Sequence, residues 1–327
     1  MTGLRIDSAR DLLVALAGRY SFGDVGALAP AVLKDGERVE LVVTACEFGQ
    51  RLLTLDAEDF AAEVSPHAVP ADLRRRARDC NMPQTAKSQP RGALESMRPA
   101  YGLFLDVIEA RWRRREFSAM IAAVHIASEY LPLLAFEPAL GHGGDPVRWP
   151  EGLRAPGSRF GVIGDRVCAH TRAEQSAAER TLRVAVEPST GWRAYLDRQH
   201  SKVAGALATC VARCRHPCPA MDWVPDREDL ARRAEVALAF ANSPLVRLRH
   251  AAPVGHGFGV PSAEEVLDAW ERSRAHLART AVGHEAAADD GFPLPGLPTL
   301  LSAVAAAPVG PGGLLADVSA HLVHLLG

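Results

Sequence analysis

Apolar residues recur at intervals of three and four along most of this chain, the repeat that gives a helix one apolar face. Residues 8–19 carry that spacing behind a serine suited to cap the first turn. Residues 37–55 form a longer, mostly apolar stretch. Residues 92–114 and 117–136 read as an antiparallel helix pair joined by a tight, charged turn. Further helices are expected at 170–186, 190–214, 227–242, 263–280 and 313–326, the last behind a Gly/Pro-rich run. Strand-forming residues gather at 39–45, 159–167 and 181–186, but their flanks suit helices equally well. No hairpin turn separates two alternating runs. The pattern therefore predicts an all-α chain. Loops are expected at 81–91, 138–161, 217–225, 252–261 and 283–298. With no repeat period and no shift in composition, residues 1–327 read as a single helical-bundle domain with a Gly/Pro-rich loop at 138–161. A loop of that length either covers a functional site or marks a boundary.

The helix expected at 117–136 is interrupted in one respect. His125 and Glu129 sit four residues apart in otherwise apolar sequence, so both project from one helix face. That face is expected to point into a core or cavity lined by Met120, Ile121, Val124, Leu131 and Phe136. A buried carboxylate is costly unless paired, ligated or hydrogen-bonded. Something in the fold is expected to compensate it.

Composition narrows the classes of function. The chain has 327 residues, 48% hydrophobic and 23% charged, with a formal net charge of −2. That content supports a globular core and argues against disorder. It leaves no electrostatic footprint for nucleic acid or an anionic membrane. The short arginine runs at 74–76 and 113–115 read as solvated helix faces or turn charges. No uninterrupted apolar stretch reaches the roughly 20 residues of a membrane span. The apolar run at 12–18 lacks the positive flank of a signal peptide. The six cysteines then read as cytoplasmic thiols.

The stretch Val124-His125-Ile126-Ala127-Ser128-Glu129, followed by Leu133, Leu134 and Glu137, resembles the distal helix of the tryptophan 2,3-dioxygenase superfamily of histidine-ligated haem enzymes. There a His-Gln-x-x-Glu-Leu stretch lies over one face of the haem; here Ile126 and Tyr130 replace the Gln and the Leu. Arg247-Leu248-Arg249-His250 and the glycine-rich 254–261 stretch look like a compressed form of the proximal region. The resemblance implies an all-α fold and haem b held by His250, with Arg249 against a propionate. The nearest relatives it suggests are bacterial haem-dependent tyrosine 3-hydroxylases. It accordingly implies hydroxylation of an aromatic amino acid, L-tyrosine to 3,4-dihydroxyphenylalanine, in natural-product biosynthesis, with hydrogen peroxide or dioxygen as oxidant. His125 would serve as the distal acid–base and Glu129 as its support. Neutral imidazole suits the axial position, and the arginine fork suits a carboxylate. No Cys-x-x-Cys-His is present, so the haem is expected to be non-covalent.

Other readings stay open at this stage. His200 and His216 are alternative proximal ligands. Cys210, Cys214, His216 and Cys218 have donor types that hold zinc or an iron–sulfur cluster, although cysteines one turn apart also serve as small core hydrophobes. Glu40, Glu47, Glu109, His125 and Glu129 could form a non-haem di-iron box in a helical bundle. A non-catalytic helical binding protein is the third class. Neither a nucleic-acid nor a membrane partner is expected, and a homo-oligomer is allowed.

Overall fold

Helices form where spacing and caps predict them, and in several places where they do not. The computed structural model describes residues 8–56, 60, 64–82, 91–145, 148–149, 170–171, 173, 192–215, 218, 221–252 and 257–327, with side chains from 203 onward in the 192–215 stretch. Helix α1 is Ala9–Ala17, and Ser8 accepts the Asp11 N–H at 3.1 Å as its cap. Helix α2 is Phe22–Val32, which the sequence pattern missed because Gly26 and Pro30 weaken local propensity. Phe22, Val25 and Ala29 are buried, with α2 packed on α3, Gly36–Thr54. The strand-like run at 39–45 lies inside α3. Helix α4, Ala71–Cys80, carries the first arginine run on its solvated side and buries Leu73, Ala77 and Cys80.

The expected hairpin is present. A 3-10 turn at Gly92–Leu94 leads into α5, Met97–Arg114, and then α6, Phe117–Leu140. Arg115 makes the turn between them in the left-handed region, with φ of 61°. Tyr101 Oη on α5 donates to the Ala127 carbonyl on α6 at 2.6 Å. Helix α6 runs past the predicted boundary at 138, with both Pro132 and Pro138 inside it. Near its end the Glu137 carboxylate accepts from Ser96 Oγ at 2.6 Å and from the Met97 N–H at 2.8 Å, capping α5 from outside. By length and composition α6 could cross a membrane, but two thirds of its apolar window is buried inside the protein.

Helix α7 is Trp192–Arg213, α8 Arg227–Ala241, α9 the single turn Pro244–Arg247, and α10 Ala263–Leu277. Helices α11, Leu297–Ala305, and α12, Leu314–Leu326, finish the chain. Helix α6 is central: it packs against α5 on one flank and against α7, α8 and α11 on the other. Arg233 on α8 joins these layers. It pairs with Asp229 at 2.8 Å and donates to the carbonyls of Ala135 on α6 and Val304 on α11. Helix α12 returns to the N-terminal half and packs on α1, α3 and α5. The described residues contain no strand, and their buried apolar side chains form one continuous core. The candidate strands at 159–167 and 181–186, and all but 170, 171 and 173 of the helix expected at 170–186, lie outside the described residues.

Candidate functional site

On α6, Met120, Ile121, Val124, Leu131 and Phe136 are buried as expected, but His125 and Glu129 are not among them. Their side chains are 17% and 50% exposed. The least buried stripe of the helix passes through Ala122, His125, Ile126, Glu129 and Tyr130. Expecting both groups deep in the core was therefore wrong. At about 100° per residue, a helix that directs 120, 121 and 124 inward turns 125 and 129 toward its rim. Glu129 keeps its water, which removes the burial cost that the apolar sequence suggested.

What meets that rim comes from the other half of the chain. Ser243 caps α9 and Pro244 occupies its first turn, where a missing N–H does no harm. Ser273 on α10 accepts the Leu245 N–H at 3.0 Å, fixing the segment from behind. A 3-10 turn, Leu248–His250, follows and rests on α6. Arg249 Nη1 lies 2.5 Å from His125 Nε2. A guanidinium can only donate, so Nε2 is the acceptor and the imidazole is neutral with its proton on Nδ1. Nδ1 is buried and has no hydrogen-bond partner among the described residues. Glu129 Oε1 stands 3.6 Å from Nε2, beyond hydrogen-bond reach, so Arg249 rather than Glu129 orients the ring. His250 is exposed at the end of the turn.

Burial pushes the His125 pKa below its ordinary 6.5; Glu129 pulls it up, while Arg249 and His250 push it further down. A depressed folded value means that the folded chain gives up this proton before the unfolded chain does. Stability contributed by this group is thus fully present above pH 6.5 and is lost as pH falls through the folded value. Denaturant midpoints of the wild type and of His125→Gln should therefore separate across that window. The wild type should lose stability more steeply on acidification, and parallel curves would contradict the assignment.

On the next stripe of α6, Ile126 and Tyr130 line a cavity of about 350 Å³ together with Phe60, Cys80, Met97 and Phe104. It is mostly apolar and of a size that takes a small aromatic molecule. Burial pushes the Cys80 thiol at its edge up to about 12, so it behaves as an inert wall.

The di-iron set does not assemble. Glu40 and Glu47 are exposed on α3, and Glu109 pairs with Arg113 at 2.5 Å. Among the described residues one group has metal-ligand geometry. The ligand atoms of His170, Cys210 and Cys218 lie within 4.8 Å of one another, and all three residues are buried. Cys214 Sγ is 3.9 Å from His170 Nε2, and the Cys218 N–H donates to Cys210 Sγ at 3.1 Å. The cysteines are the ones the sequence singled out. His170 was not among the expected ligands, since it lies forty residues before Cys210 and no local spacing connects them. His216, Cys168 and the 253–256 part of the glycine-rich stretch fall outside the described residues, and His200 lies on α7 where only the backbone is described.

Comparison of the chain with family models, with curated proteins and with solved structures returned no match.

Proposed function

We propose that this protein is a haem-dependent oxidoreductase that hydroxylates an aromatic amino acid, with haem b bound non-covalently at the junction of α6 and the Leu248–His250 turn. The supporting observation is the meeting of two sequence stretches 124 residues apart, each of which resembles a haem-binding segment. Their donor set fits the cofactor: an imidazole on each of the two elements, an arginine beside them, and a buried ring nitrogen on His125 with no partner among the described residues.

When bound, haem supplies the redox centre at which peroxide or dioxygen is activated. His250, exposed and accessible, would hold it through its imidazole. Arg249 would exchange its contact with His125 for an anionic partner, a propionate, to which its fork is suited. That exchange uncovers His125 Nε2. A neutral imidazole with a depressed pKa can then take a proton from the oxidant at Nε2 and return it to the departing oxygen. Half-exposed Glu129, 3.6 Å away, stabilises the transient imidazolium through space rather than by a hydrogen bond. The apolar cavity behind Ile126 and Tyr130 offers room for the aromatic ring of a substrate.

Haem titration into the full chain tests this reading. An intense Soret band saturating at one haem per chain is expected. His250→Ala should abolish haem retention. His125→Ala should keep the band but lose tyrosine hydroxylation by on the order of a hundred- to ten-thousand-fold. A chain that gains no Soret band under these conditions is not a haem enzyme, and the apolar cavity would then be that of a binding protein.

A further inference from the structure

The buried cysteines at the end of α7 play no part in that chemistry. Cys210 and Cys214 are one helical turn apart, so their sulfurs emerge on the same side. The chain then leaves the helix and brings Cys218 back, its N–H on Cys210 Sγ at 3.1 Å. The Met221 N–H bonds the Cys218 carbonyl at 2.8 Å, ahead of α8. His170, from a distant part of the chain, closes the group.

We propose that His170, Cys210, Cys214 and Cys218 bind one zinc ion as a closed, structural Cys3His centre.

Three observations support it. First, the donor identity is right: three thiols and one imidazole form a common tetrahedral set for structural zinc. Second, the spacing is right. Zinc–sulfur and zinc–nitrogen bonds of about 2.3 and 2.0 Å place tetrahedral ligand atoms roughly 3.5–3.8 Å apart. The Cys214–His170 separation is already 3.9 Å, and the ligand atoms of His170, Cys210 and Cys218 lie within 4.8 Å of one another. For His170, Cys210 and Cys218, contraction around an ion is a matter of about an ångström, and Cys214 already stands beside the imidazole. Third, the surroundings favour thiolates once a cation is present. The N–H of Cys218 aimed at Cys210 Sγ is the kind of backbone donor that supports a metal-bound sulfur. Binding of zinc would release the thiol protons to solvent.

Four protein ligands leave no open coordination position, which assigns the ion a structural rather than a catalytic role. Its effect would be to fasten the segment at His170 to the end of α7 and to the connection into α8, α7 and α8 both packing against α6. Cys214, the one partly exposed ligand, provides the way in.

The test uses the full chain purified under reducing conditions. Elemental analysis should give one zinc per chain, whether or not haem is bound. Replacing zinc with cobalt(II) should give the visible bands of a tetrahedral thiolate complex. A strong chelator should lower Tm, and added zinc should restore it. His170→Ala and Cys210→Ser should each weaken zinc affinity on the order of a hundredfold or more, with Tm close to that of the chelated wild type. Because either variant could misfold, the cobalt spectrum of the wild type is an independent readout. No cobalt–thiolate bands, unchanged zinc affinity in the two variants, or a Cys210–Cys218 disulfide in protein kept reduced would each overturn the proposal.

Discussion

Asp145→Ala should lower the unfolding free energy by about 3–5 kcal/mol, the cost of leaving a buried guanidinium without its carboxylate. Arg91 and Asp145 make a two-pronged pair, Nε to Oδ2 and Nη2 to Oδ1, both at 2.8 Å, with side chains only 3% and 1% exposed. The pair ties the start of α5 to the turn that follows α6. The rest of that turn is built for close approach. His142 Nδ1 accepts the N–H groups of Gly144 and Asp145 at 3.1 and 2.8 Å, and the Gly143 N–H bonds Leu94 O at 2.9 Å. A Cβ on Gly143 would fall 2.2 Å from the Ala93 carbonyl oxygen, so only glycine fits there. Removing the Asp145 carboxylate thus charges a site too tight for water to enter freely. Urea unfolding should show a lower midpoint with an unchanged slope. Asp145→Asn, which keeps one acceptor, should fall between wild type and Ala. The Arg148–Glu95 pair nearby is 41% and 58% exposed, so Glu95→Ala should hardly move the midpoint. An Asp145→Ala midpoint equal to that of Glu95→Ala would show that Arg91 finds water after all.

Asp106→Ala should cost about 2–3 kcal/mol, combining a lost helix cap with backbone donors left buried. Helix α12 has Gly313 as its N-cap residue and so no capping side chain of its own. Asp106, from α5, supplies one across the fold. It accepts the N–H groups of Gly313 at 2.9 Å, Leu314 at 2.7 Å and Leu315 at 3.4 Å. The helix it anchors buries Leu314, Leu315, Val318, Leu322 and Leu326 against the N-terminal half. Burial raises the Asp106 pKa above its ordinary 3.8, although the three backbone donors pull it back down. A raised carboxylate is still protonated in the folded chain at pH values where the unfolded chain has already lost the proton. Its contribution to stability therefore falls as pH rises from 3.8 to the raised value, and is constant above it. Asp106→Asn should abolish that slope while retaining part of the cap. Thermal unfolding across the acid range, compared with wild type, gives both results. An Asp106→Ala protein as stable as wild type would mean that water replaces the carboxylate at the α12 N-terminus.

Where the sequence could be read, local chemistry was sufficient. Helices α3, α5 and α6 and the cap at Ser8 depend on hydrogen bonds and side-chain spacings within one or two turns. Helix α2 escaped because Gly26 and Pro30 lower its own propensity, and burial against α3 outweighs them. The end of α6 was misplaced for a similar reason. Pro138 signals a stop, yet packing on both flanks and the Glu137 contacts with α5 carry the helix on to Leu140.

Residue types in the candidate sites were legible, but their geometry was not. The i, i+4 spacing of His125 and Glu129 correctly put them on one side of α6, since that follows from helix periodicity alone. Whether that side faced the core or the rim depended on which neighbours α6 packs against. Arg249 as the partner of His125, Asp106 as the cap of α12 and His170 beside the three cysteines are contacts between elements far apart in sequence. No local spacing encodes such contacts, because they are set by how amphipathic faces bury one another. The sequence by itself determined the all-α character, most helix positions and the kinds of groups available for chemistry. The tertiary structure alone decided which of those groups meet, because burial and long-range hydrogen bonds, not local propensity, choose their neighbours.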